Sequence, residues 1–159
     1  MKKAFALVLA VTMIMGMSAM AYASDVVIEY DEAYVLKFDC DGEIEMAFGD
    51  DDTGCNEGVF TVDVSGQDKL FIAFNTTPYE SIVAANEGKE MFFVNFCGVK
   101  FNRTGEYVYE LEDAAAAYQI VDGKLMEIPN VEIANDEITF RTSYLGSYVF
   151  AKSELVNAA

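Results

Sequence analysis

Polar and apolar residues alternate with a period of two along several stretches of this chain, and that period predicts strands with one buried face. In Glu43–Phe48, Ile44, Met46 and Phe48 fall on one side and Glu43 and Glu45 on the other. In Val59–Val64, Phe60, Val62 and Val64 oppose Thr61 and Asp63. In Glu106–Glu112, Tyr107, Tyr109 and Leu111 oppose Glu106, Val108, Glu110 and Glu112. Leu70–Asn75 and Met91–Phe96 are more continuously apolar, which predicts strands lying centrally in a sheet. Further strands are expected over Asp25–Tyr30, Ala33–Asp39, Ala117–Val121, Lys124–Ile128, Glu137–Thr142 and Ser147–Ala151.

Turn residues punctuate these runs. Asp122-Gly123 joins two of them as a two-residue hairpin. Gly49–Gly58 reads as a loop rich in Asp, Asn and Gly, and Ser65-Gly66-Gln67-Asp68 as a turn. Ser81–Ala85 reads either as one helical turn or as a covering loop. The run Ala114–Ala117 is too short for a stable helix. About ten short strands at this spacing predict an all-β fold, an antiparallel β-sandwich of Ig-like or jelly-roll-like type, or a related barrel. Neither a linker nor an internal repeat is visible, so one domain is expected.

The N-terminus breaks this pattern. Lys2 and Lys3 precede an apolar run from Ala4 to Met15, and Ala21-Tyr22-Ala23 supplies small residues before Ser24. That order is a secretory signal peptide, residues 1–23, cleaved to release a secreted domain, residues 24–159. The other reading is an uncleaved anchor, because Ala4–Ala23 carries no charge and is long enough to span a bilayer. No cysteine follows the apolar run for lipid attachment. No sorting sequence or C-terminal apolar tail is visible, so the product is expected to be free of covalent anchoring, with no membrane span after cleavage.

Charge narrows the partners. The chain has 10 basic and 27 acidic residues, a net charge of −17. Removing Lys2 and Lys3 leaves 8 against 27, or −19. Nucleic acids and anionic membranes need basic patches, so both are excluded as expected partners. Solubility, repulsion from anionic walls and cation binding remain. Histidine is absent, which removes Ser-His-Asp and Cys-His catalysis. Tryptophan, the usual platform for sugar stacking, is absent too. Tyr79, Tyr107, Tyr109, Tyr118, Tyr144 and Tyr148 are the available substitutes, although Tyr107 and Tyr109 alternate as core-facing residues.

The C-terminal part carries a resemblance. Val121-Asp122-Gly123-Lys124-Leu125, Ile138-Thr139-Phe140-Arg141-Thr142, Leu145-Gly146-Ser147-Tyr148-Val149 and Ser153-Glu154-Leu155 follow one another there. Together they resemble the tail of uncharacterised secreted or cell-surface β domains of Firmicutes, clostridial ones especially. Phe101-Asn102-Arg103-Thr104-Gly105 is similar to the same family. The resemblance covers roughly the last 65 residues and implies a β fold and an extracellular setting. It implies no catalytic or binding residue.

Three features carry candidate chemistry. Asp50, Asp51 and Asp52 offer two or three carboxylates to Ca²⁺, which takes six to eight oxygens; solvated loop charge is the competing reading. Asp39, Asp41 and Glu43 lie at the other end of the intervening strand, and Asp39-x-Asp41-Gly42 lacks EF-hand spacing. Cys40 and Cys55 are the candidate disulfide, closing a loop of about 16 residues. Cys97 follows a very apolar run and reads as a buried, unreactive thiol. Zinc is not expected without histidine.

The resulting expectation is a secreted, non-enzymatic β-sandwich module that binds a protein or glycan at the bacterial envelope or in the extracellular space. No resident cofactor is expected, Ca²⁺ being the one candidate. The alternatives are a Ca²⁺-stabilised extracellular domain and a small carboxylate-based glycan hydrolase.

Overall fold

Alternation becomes structure over most of the chain. The computed structural model describes residues 19–21, 26–28, 33–38, 41–49 and 58–158. Eleven strands and one short helix are present among them: β1 (Ala19–Ala21), β2 (Val26–Ile28), β3 (Ala33–Phe38), β4 (Glu43–Phe48), β5 (Gly58–Asp63), β6 (Lys69–Asn75), α1 (Glu80–Ala85), β7 (Met91–Glu110), β8 (Ala116–Val121), β9 (Lys124–Glu127), β10 (Glu132–Ala134) and β11 (Glu137–Ala151). β1 pairs in parallel with β3, and β2 with β4; every other pairing is antiparallel.

The two longest strands build a sandwich by belonging to both of its layers. The second half of β7 pairs with β5, and the first half of β11 runs beside it. With β2, β4 and β10 they make one layer. The first half of β7 pairs with β6, and the second half of β11 runs beside it and pairs with β8. With β1, β3 and β9 they make the other. The predicted strands Met91–Phe96 and Glu106–Glu112 are therefore parts of one strand, as are Glu137–Thr142 and Ser147–Ala151.

Bulges make the bend possible. Between Asn95↔Ser147 and Val99↔Leu145, three β7 residues lie opposite Gly146 alone. Gly98 takes a φ of 74° there, which favours glycine. At Gly105 an added Cβ would lie 2.5 Å from both the Phe60 ring and the Thr61 carbonyl oxygen. The strand crosses so close to β5 that only a hydrogen fits.

The predicted inward faces are buried: Ile44, Met46 and Phe48 on β4, Phe60 and Val62 on β5 with Val64 just after it, and Tyr107 and Tyr109 on β7 with Leu111 just after it. Aromatic rings meet between the layers. Phe48 lies 4.7 Å edge-on from Phe96, Tyr109 lies 4.4 Å from Phe150, and Phe140 lies 5.0 Å from Tyr148. Such pairs add to the burial of their area.

The second layer is covered on its outer face as well. Ile82 of α1 and Leu155 of the C-terminal tail pack there against Phe93, Ile120, Leu125 and Val149. Ser81–Ala85 is thus helical, inside α1. The predicted Asp122-Gly123 hairpin is present, with both φ values positive at 50° and 75°. A second such hairpin, Asn135-Asp136 with φ of 53° and 64°, joins β10 to β11. β1 lies inside the expected leader; a cleavage after Ala23 would remove it and make β3 an edge strand.

Candidate functional site

β6, β7 and the connection after β6 border an aromatic-lined concavity. Alternation on β6 sends Phe74 inward, and alternation in the second half of β7 sends Tyr107 and Tyr109 into the same core. Phe48 at the end of β4 and Phe92 near the start of β7 complete an aromatic wall, with Thr76 and Pro78 also lining the space. The cavity is about 190 Å³. Sites for whole small molecules run to about 300–1,000 Å³, so this one has room for a single ring or side chain. Among the described residues, no carboxylate, lysine or arginine lines it.

Pro78 also belongs to a second, open groove beside α1, formed with Glu80, Val83, Ala84 and Glu87. The helix is held by what lies under and after it. Ile82 is fully buried. Asn86, at the helix C-terminus and 1% exposed, acts as a clamp. Its amide nitrogen donates to the Ile82 and Val156 carbonyls at 3.0 and 2.8 Å, and its oxygen accepts the Val156 N–H at 2.8 Å. Asn157 grips β9 in the same way: its oxygen accepts the Leu125 N–H at 2.7 Å, and its nitrogen donates to the Leu125 carbonyl at 3.2 Å. Two asparagine side chains thus stand in for backbone pairing and strap the tail over the sheet.

The outer face of the first layer is acidic. Glu43 lies directly opposite Asp63, and Glu110 opposite Glu137, two like-charge pairs; Arg141 opposite Glu106 is the complementary exception. Arg103 adds an ion pair with Asp63 at 3.3 Å. The Ser65 hydroxyl and N–H donate to the Asp63 carboxylate, and with Arg103 they hold its pKa below the usual value. A shallow hollow at one end gathers Glu110, Glu112, Asp136 and Glu137. Among the described residues, no group of three or more acidic or cysteine side chains is placed to hold a metal ion.

Of the sites expected from sequence, Asp50, Asp51, Asp52, Cys40 and Cys55 lie outside the described residues, as does Asp39. The described residues nearest to the two cysteines, Asp41 and Gly58, stand towards opposite ends of the β4–β5 pair, where Glu43 faces Asp63 and Phe48 faces Gly58.

Cys97 overturns its expectation: the thiol is exposed and free. The apolar run ends at the Gly98 bulge, where the strand turns and Cys97 faces solvent instead of continuing the buried row.

The tyrosines sort by burial. Tyr107, Tyr109 and Tyr148 are core residues. Tyr79 stacks on Phe93 and donates to Ser147, and Tyr118 donates to Glu154. Tyr144, 44% exposed, presents its ring to solvent.

The cavity and both asparagine clamps escaped sequence reading. Pro78, breaking the apolar pattern after β6, was the one visible signal for the cavity rim. Among the described residues no helix is long and apolar enough to cross a membrane. No protein-family model, curated protein or solved structure matches this chain.

Proposed function

We propose that the exported chain is a non-enzymatic β-sandwich module that binds a protein component of the bacterial envelope or its extracellular surroundings. The observation that carries this reading is the aromatic cavity beside Thr76 and Pro78. Its size suits one inserted side chain, the arrangement by which a few buried anchors supply most of the energy of a protein interface. Among the described residues its wall offers rings and aliphatic groups rather than the paired carboxylates that protonate a leaving group and activate water. The signal sequence and the resemblance to secreted Firmicutes domains support the extracellular setting.

Phenol titrated into the exported chain tests this by amide NMR. Shifts confined to Thr76, Met91 and Phe92, and abolished by Thr76→Phe, are the expected result. An absence of saturable shifts there overturns the reading of the cavity. Release of reducing ends from cell-wall glycans overturns the non-enzymatic reading.

A further inference from the structure

Helix α1 is anchored by its buried side and carries apolar residues on its outer one. Ile82 faces the sheet, which turns Val83 and Ala84 outward; Val83 is 38% exposed. A β-branched residue at an exposed helical position is a poor helix former and gains little from burial, so local stability does not account for it. Pro78 beside it is exposed, and so is Val156, whose backbone Asn86 grips. The groove formed by Pro78, Val83 and Ala84 is edged by Glu80 and Glu87, both exposed. Lys89, the nearby cation, is engaged with the Asn86 side chain and the Glu154 carbonyl.

We propose that this groove docks a cationic polypeptide segment carrying one aliphatic anchor residue. Glu80 and Glu87 face the partner's lysines or arginines, and Val83, Ala84 and Pro78 receive the anchor. Charge complementarity selects this occupant: an acidic segment, or a second copy of a chain of net charge −17, meets repulsion. The proposal rests on the binding-module reading and names the partner's chemistry.

The test is calorimetric titration of the exported chain with a synthetic Lys/Leu amphipathic peptide and its Glu/Leu counterpart, with amide NMR to place the site. The expected result is shifts at Val83, Ala84 and Glu87 with the basic peptide alone. Val83→Ser should weaken binding about fivefold, and paired Glu80→Gln and Glu87→Gln about tenfold. Paired Glu132→Gln and Glu137→Gln, an equal charge change on the far layer, should change it less than twofold. Equal weakening by both charge pairs means diffuse attraction and overturns the proposal. So does undiminished binding in Val83→Ser, or groove binding by the acidic peptide. Thermal midpoints check that each variant is folded, and Val83→Thr repeats the test with a β-branched residue. Phenol shifts at Thr76 report on the cavity separately, so its failure is distinguishable from failure of the groove.

Discussion

Replacing Asn86 by alanine removes both halves of the clamp that holds the C-terminal tail, and two outcomes compete. If the tail stays in place, the Val156 N–H and carbonyl lose their partners, as does the Asn86 bond to Ile82. At about 1 kcal/mol net per hydrogen bond, that costs about 3 kcal/mol. If the tail leaves, Leu155 loses its burial, worth about 2 kcal/mol. The Asn157–Leu125 pair goes with it, another ~2 kcal/mol on top of the ~3 kcal/mol of Asn86 bonds. About five freed residues each regain about 1 kcal/mol of backbone entropy, which leaves about 2 kcal/mol net. Release is the cheaper route, and the expected loss is about 2 kcal/mol in urea unfolding. The route has its own signature. Hydrogen exchange at the Leu125 amide should accelerate in Asn86→Ala, although Asn86 does not touch it, because Asn157 leaves with the tail. Combining Asn86→Ala with Asn157→Ala should cost less than the sum of the two, since the second change acts on a tail already free. A loss below about 0.5 kcal/mol, or unchanged protection at both Leu125 and Val156, refutes the account of the strap.

Other perturbations read other parts of the sandwich. Glu137→Lys turns the repulsive pair with Glu110 into an attractive one and should raise stability by about 0.5–1 kcal/mol at low salt, with the gain shrinking in 1 M NaCl as measured by urea unfolding. Tyr148 has a pKa raised above 10.0, chiefly by burial, so its neutral form favours the folded state. That contribution is complete below about pH 10 and is lost as pH rises through the folded value. Tyr148→Phe should therefore lose about 1 kcal/mol at neutral pH with its bond to the Tyr144 carbonyl, yet show a flatter decline in alkaline melts. Cys97, exposed, should react with a thiol reagent in the native state; peptide mapping that finds it protected until unfolding contradicts its placement at the bulge.

Strand identity and facing were legible because period-two burial leaves a mark on every second residue. Ile44, Met46 and Phe48, or Tyr107, Tyr109 and Leu111, needed no tertiary information to be assigned to the core. The continuity of β7 and β11 was not legible. Gly98, Gly105 and Gly146 look like strand ends in sequence, because glycine permits a turn and a bulge equally well, and the difference lies in the partner strand's register. The same ambiguity misplaced Cys97: a run that continues buries its next residues, whereas a run that bulges exposes one. Acidic residues mark solvent as readily as a ligand, and those brought together here by β5, β7 and β11 come from distant parts of the chain, so no local spacing announces their meeting. The asparagine clamps are the extreme case. Asn86 answers a backbone 70 residues away and Asn157 one 32 residues away. A side-chain amide that replaces a missing strand leaves no periodic trace, so such straps become visible only once the fold has placed an unpaired backbone beside them.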